Sequence, residues 1–231
     1  MLREVSLYAN INEFSKIHPG EKLLLILISL ILCSYTEKYE VIVFNIIFFI
    51  ILCVVTKVEF KIVRKFVKIA VIFSLFTAIT FTFEKQYNFI ILLFLRGING
   101  AITISFFALT TPINHLVYIL SKNKYLADIA DIAKSLETFL IIIEKDFEIT
   151  FRAMNCRGVS KKYKDKLKYF GKGISVVFRN LLYRWKEINE GLKNRCYVGK
   201  HHYSYDFKIS IKNYIFILVY LIINISLIVV L

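Results

Sequence analysis

The sequence predicts an all-α, polytopic integral membrane protein with about five transmembrane helices and two long cytoplasmic amphipathic helices. Three observations lead there. Apolar residues make up 57% of the 231, above the 45–50% usual in a soluble domain. The excess is gathered into runs long enough to cross a bilayer core of roughly 30 Å. Charge is equally uneven: residues 150–202 carry 14 Lys and Arg against 3 Asp and Glu, so +11 of the net +14 lies in that one region. The same region and the residues before it carry apolar positions at steps of three and four, the mark of amphipathic helices.

Taken in order, residues 1–22 are mixed and polar, ending His18-Pro19-Gly20-Glu21-Lys22. Leu23 to Tyr35 is almost wholly apolar and reads as a first span. A signal peptide is the competing reading, but no small-x-small cleavage site follows. Leu30-Ile-Leu-Cys33 hints at a lipoprotein box, yet Leu rather than a small residue precedes the cysteine. A first span that is retained is therefore expected. Thr36 to Glu40 is a short polar turn suited to the outside, and Val41–Thr56 is the second span. Lys57, Lys61, Arg64, Lys65 and Lys68 against Glu59 mark an inside loop, as the positive-inside rule requires. The third span is expected from about Ile69 to Phe83, an outside turn at Glu84 to Asn88, and the fourth span from Phe89 to Thr110. Pro112 marks its end, because the residue before a proline is pushed out of the α region. Asn213 to Leu231 is the last apolar run. The expected organisation is a membrane domain over 1–112 with four spans, a cytoplasmic region over 113–211 and a C-terminal transmembrane helix over 212–231. The N-terminus is expected inside, and the chain in the cell's inner (plasma) membrane.

One charge lies within a span: Arg96, in Leu92-Leu-Phe-Leu-Arg-Gly-Ile-Asn-Gly100. A buried arginine usually has a partner or a water-filled route and is then functional. The alternative is that it snorkels to the outer headgroups. Gly97 and Gly100 leave room for a close helix neighbour.

In the basic region, Leu126, Ile129, Leu136, Leu140, Ile143, Phe147, Phe151 and Met154 form one apolar stripe. Ile174, Val177, Phe178, Leu181, Trp185, Ile188 and Leu192 form a second. Each pattern ends in an arginine motif, Phe151-Arg-Ala-Met-Asn-Cys-Arg-Gly158 and Gly191-Leu-Lys-Asn-Arg-Cys-Tyr-Val-Gly199. Gly158 is a natural helix stop. The arginines could do no more than complement helix dipoles in a packed pair. Lys161 to Lys172 reads as a basic link, a solvated or lipid-facing tether, and anionic lipid headgroups are a sink for its charge.

Several chemistries are absent. The four cysteines show no C-x-x-C spacing, so neither a zinc nor a redox motif is indicated. The His201-His202 pair has no carboxylate or cysteine at ligand spacing. Gly171-Lys-Gly-Ile-Ser175 has the wrong spacing for a P-loop, and no metalloprotease helix, nucleophile elbow or paired intramembrane carboxylates occur. No cofactor or metal is expected. A basic patch on a soluble protein would suggest nucleic acid; beside membrane spans, no nucleic-acid partner is expected. A membrane enzyme acting on an anionic lipid or polyprenyl phosphate stays open as an alternative, as does a membrane-anchored scaffold.

Together these pieces resemble the transmembrane T component of energy-coupling-factor (ECF) transporters, the cobalt/nickel CbiQ-like type, over most of the chain. His18-Pro-Gly-Glu-Lys-Leu23 is similar to the family's opening of its first span, and Leu109-Thr-Thr-Pro112 to its closing of a later one. The motif from Phe151 to Gly158 is similar to the first of two signature arginine motifs. Gly173 to Arg184 looks like the run into the second, which departs from the family pattern at Asn194-Arg195-Cys196-Tyr197. The glycine that usually follows the second arginine is replaced by Cys196. The resemblance implies a subunit that neither hydrolyses ATP nor selects the substrate. Two cytoplasmic ABC-type ATPases would bind the two coupling helices. Arg157 and Arg195 would meet acidic side chains there, with Arg152, Met154, Gly158 and Tyr197 of the same motifs around them. A membrane substrate-binding (S) subunit would receive the motion, with cobalt or nickel as cargo.

Overall fold

The structure, a computed structural model, describes residues 2–83, 87–123, 125–158, 163–196, 205, 207 and 210–230. Among these, every regular element is helical. The chain divides into two compact units, one formed by Glu4–Ile119 with Tyr205–Leu231, the other by Met1–Arg3 with Leu120–Ser204.

The first unit holds the apolar helices. Its polar opening is structured: α1 (Leu2–Ile11) is followed by a 3-10 turn at Glu13–Lys16. α2 (Pro19–Tyr35) starts four residues before the expected span. Proline suits the first helical position because its missing N–H would have no partner there. His18 caps the same end, its Nδ1 accepting from the Gly20 N–H at 3.1 Å. α3 (Tyr39–Val55) ends at Thr56, whose hydroxyl donates to the Leu52 carbonyl at 2.8 Å.

α4 (Phe60–Phe83) corrects the expected boundary. The basic stretch is no loop beyond Lys57–Glu59. Lys61, Arg64, Lys65 and Lys68 occupy the first turns of the helix, since Lys and Arg are good helix formers and no breaker intervenes. α5 (Tyr87–Thr110) stops two residues before Pro112, as the proline dictates, and α6 (Ile113–Ser121) follows. Of the expected outside turn at Glu84 to Asn88, residues 84–86 lie outside the described residues, while Tyr87 and Asn88 open α5 instead. α9 (Ile211–Val230) is the last apolar helix.

α4, α5 and α9 are long and apolar enough to cross a membrane. α2 and α3, at 17 residues each, rise about 26 Å, the short end of the spanning range. α5 is the central helix, packed against α2, α3 and α4. Its closest neighbour is set by Gly97: a Cβ there would stand 2.5 Å from Ser74 Oγ of α4. Gly100 meets Leu30 at ordinary contact distance, 4.0 Å.

Polar contacts hold the ends of this unit. The buried Lys22 ammonium donates to the carbonyls of Phe14 and Thr110. The buried Glu21 carboxylate accepts from the Ser210 N–H at 3.1 Å and the Asn213 side chain at 2.6 Å. That places a negative charge at the positive end of α9. Deeper in, Asn45 of α3 donates to Asn224 of α9 at 2.7 Å, and the Tyr220 hydroxyl donates to Asn45. Among the core, Ile42, Phe49 and Leu109 are fully buried, while Phe73 and Phe76 of α4 are exposed, as lipid-facing residues would be.

Candidate coupling surface

The second unit is built on two long helices, α7 (Ala127–Cys156) and α8 (Tyr163–Asn194). The expected link at 161–172 is therefore corrected: Lys164, Lys166, Lys168 and Lys172 lie in the first turns of α8, and Lys161 and Lys162 lie outside the described residues. The contacts between the helices run in opposite directions along the chain. Asp146 pairs with Arg184, whereas Phe151 and Met154, further along α7, meet Phe170 and Gly173, further back on α8. The helices are antiparallel where they touch.

The approach is set by Gly173. A Cβ at that position would lie 2.7 Å from Phe151 Cζ and 3.2 Å from Met154 Sδ. Below about 3.0 Å real Cβ atoms are essentially never found, so any larger residue here would have to push the Phe151 ring aside. Arg184 then grips α7 with a bidentate fork, Nε to Asp146 Oδ2 at 2.9 Å and Nη2 to Oδ1 at 3.0 Å. The Asp146 side chain is 8% exposed and that of Arg184 is 48%, so the acid is the partner that could not stand alone.

The apolar stripes read from spacing are only partly the packing faces. Phe151, Met154, Val177 and Leu181 are wholly or partly buried, but Ile129, Leu136, Leu140, Phe178 and Trp185 stay exposed. Two residues that hydrophobic periodicity ignores, Gly173 and Asp146, decide the contact. The available signals were a glycine at the edge of an apolar stripe and a carboxylate between Ile143 and Phe147 inside another.

Both helices end the same way. Arg157 follows the last turn of α7, its N–H on the Met154 carbonyl at 3.1 Å, and Gly158 takes φ +82° with its N–H on Asn155. Arg195 follows the last turn of α8, its N–H on the Leu192 carbonyl at 3.1 Å. Cys196 takes φ +53°, its N–H on Lys193 at 3.0 Å. The missing second glycine does not prevent the left-handed turn: Cys196 adopts that conformation itself. For a non-glycine residue this costs roughly 1–2 kcal/mol. Arg157, Arg195, Arg152 and Gly158 are exposed, while Met154 is half-buried against Gly173. Tyr197 and the His201-His202 pair lie outside the described residues.

From Gly173, α8 runs about 33 Å to Arg195 at 1.5 Å per residue, whereas Arg157 lies about 5 Å beyond Met154. The two arginines thus occupy opposite ends of the antiparallel pair. Each is a permanent cation with five donors in a planar fork, suited to a carboxylate.

Arg96 belongs to the apolar unit and to neither motif. It is half-buried, and its Nη2 donates to the Thr36 carbonyl at 2.9 Å. Its partner is thus the C-terminal end of α2, where a cation is favoured. Among the described residues no cluster of three or more His, Cys, Asp or Glu could hold a metal ion.

Helices able to cross a bilayer, in one chain with an exposed basic helix pair, define a polytopic membrane protein. The model of the family described as CbiQ, cobalt transport protein, matches residues 12–205, and the chain belongs to that family. It is a component of a membrane transporter. No match was found among curated proteins.

Proposed function

We propose that the chain is the T subunit of an energy-coupling-factor importer of the ABC type. On this reading it carries ATP-driven movement of two cytoplasmic ATPases to a membrane substrate-binding subunit. Cobalt or nickel is the cargo, the former in keeping with the family's description. The observation that carries the reading is the pair of matched helix ends, each an exposed arginine followed by a left-handed residue. Two ends of the same form, each an arginine followed by a left-handed residue, suit two like partners. Arg157 and Arg195 are the principal contacts, with Arg152 and Gly158 beside Arg157, Met154 holding the helix crossing, and Tyr197 following Arg195.

Five spans, α2 to α5 and α9, with the N-terminus inside would leave residues 113–211 cytoplasmic and the C-terminus outside the plasma membrane. ATP hydrolysis belongs to the partners. Arg96 serves as an intramembrane cap on α2 under this scheme.

The test is co-purification from the native membrane followed by subunit quantification. The chain should retain two ATPase subunits in fixed stoichiometry, and substrate uptake should depend on them. Purification of the intact chain without any ATPase, from cells in which the transporter is active, would refute the role.

A further inference from the structure

We propose that Ser29, Asn99 and Thr103 enclose a site for ordered water at mid-depth of the apolar unit, where α5 meets α2 and α3. The inference rests on the chain being a membrane protein and not on ATPase coupling.

Two contacts fix the level of α5 against α2. Toward one end Arg96 donates to the Thr36 carbonyl, and toward the other Lys22 donates to the Thr110 carbonyl. Ser29 stands seven residues from both Thr36 and Lys22, and Thr103 seven from both Arg96 and Thr110. The two hydroxyls are therefore level, about 10.5 Å along the helices from each contact. Helical rotation sets their direction. Gly100 faces Leu30 of α2, and Phe106 meets Phe49 of α3. On the surface of α5, Thr103 and Asn99 fall between these two positions. Tyr220 of α9 closes the same space, edge-on to Phe49 and beside Ser29.

The buried polar groups at this level fall into two sets. Asn45, Asn224 and Tyr220 bond one another and the backbone. Asn99 and Thr103 do not. Asn99 is 1% exposed and Thr103 is fully buried, yet neither the Asn99 amide nor the Thr103 hydroxyl has a partner among the described residues. Ser29, also fully buried, makes no hydrogen bond of good geometry with Tyr220. Hydroxyls in an apolar helix can turn back onto the carbonyl four residues earlier, as those of Ser105 and Thr110 do in α5 itself. Thr103 departs from that habit, which leaves its hydroxyl available to a ligand.

Such atoms are costly in an apolar interior unless something satisfies them. The donor set selects the ligand. Asn99 presents both a donor and an acceptor, and the hydroxyls serve as either. A cation would satisfy acceptors only, and would find no carboxylate among these residues, with the Arg96 guanidinium about one turn away along α5. An anion would satisfy donors only and leave the Asn99 carbonyl oxygen unmet. Water both gives and accepts. A buried water typically makes about three hydrogen bonds, which Ser29, Asn99 and Thr103 together supply.

Nuclear magnetic resonance on the full chain, labelled with nitrogen-15 at asparagine and held in deuterated detergent, gives the direct test. The Asn99 side-chain amide is recognised by its absence from Asn99→Leu and Asn99→Gln, and should show a cross-peak to water. The Asn45 amide should not, since its hydrogens are taken by the Val41 carbonyl and Asn224. Thr103→Val should weaken the Asn99 cross-peak. Thr103→Val and Asn99→Leu should each lower the thermal midpoint by about 2–4 °C. Absence of the Asn99 cross-peak in the parent chain would overturn the proposal whether or not the variants fold. So would an unchanged or raised midpoint in Asn99→Leu, the outcome for a dry amide that no ligand satisfies. A water cross-peak at Asn45 as well would mean general penetration of solvent, against a defined site. Stability that follows sodium against choline at equal ionic strength would give the site to a cation and overturn the water assignment.

Discussion

Arg157 and Arg195 are solvent-exposed in the isolated chain, and ordinary surface arginines can be replaced at almost no cost. If each is desolvated against a carboxylate of an ATPase, truncation leaves that carboxylate buried and unpaired. The loss is then roughly 2–5 kcal/mol, about 30-fold to several-thousand-fold in affinity. Arg157→Ala and Arg195→Ala should each weaken ATPase retention in a pull-down and reduce uptake, with expression unchanged. Arg→Lys should rescue poorly, because an ammonium cannot form the planar fork. Full retention of both ATPases by the double alanine variant would end the coupling reading. Cys196 provides a second test at this scale. Cys196→Gly should relieve the left-handed strain, a gain of up to about 1 kcal/mol after glycine's own entropy cost. Cys196→Val should fray the last turn of α8, since a β-branched residue is least suited to positive φ. Thermal melting with ATPase retention checks both. The first helix end was legible in the sequence because glycine announces a left-handed stop. The second was not, because nothing about a cysteine signals that conformation.

At the scale of elements, amphipathic spacing located both long helices but not the faces that join them. Periodicity reports where apolar side chains lie, and the joint is made by a residue without a side chain and by an ion pair. Boundaries slipped for a related reason. Basic stretches at 57–68 and 161–172 looked like loops by charge, yet lysine and arginine propagate a helix well, so α4 and α8 begin within them. Gly173→Leu should force α7 and α8 apart, because Phe151 Cζ already occupies the space. A disulfide engineered across the pair should then form more slowly than in the parent, and ATPase stimulation should fall even with both arginines present. Unchanged cross-linking would show that the ring yields and the glycine is dispensable. Arg184→Ala should destabilise the pair by on the order of 1–2 kcal/mol, less than a fully buried pair would lose, because solvent screens the half-exposed guanidinium. Adding Asp146→Leu should recover much of it by removing the stranded charge. Denaturation of the single and double variants gives the comparison.

For the whole molecule, alternation of basic and neutral segments was the readable quantity, and the apolar helices fell close to where the hydrophobic runs placed them. What could not be read was the polar network between them. Asn45, Tyr220 and Asn224 are far apart in sequence and meet only once α3 and α9 pack. Asn224→Leu should cost about 0.6–1.7 kcal/mol, the range for hydrogen bonds between membrane helices, measured by unfolding in detergent. A loss within error would mean that Asn45 finds the Val41 carbonyl sufficient. Topology has its own check: Lys164→Cys, in a background without the four native cysteines, should stay unreactive to an impermeant thiol probe in intact cells. Labelling from outside would overturn a cytoplasmic α8.

The stretch over which α8 holds α7, from Phe170 to Arg184, leaves the two arginines at unequal distances from the contact, with a mechanical consequence. With free arms of about 17 Å from Arg184 to Arg195 and about 5 Å from Met154 to Arg157, the pair is an unequal lever. A relative rotation of about 5° about the held stretch swings the far arginine through about 1.5 Å and the near one through less than about 0.5 Å. Two ATPases gripping these ends would feel very different strokes from one movement. The short arm would act as an anchor and the long arm as the part that travels.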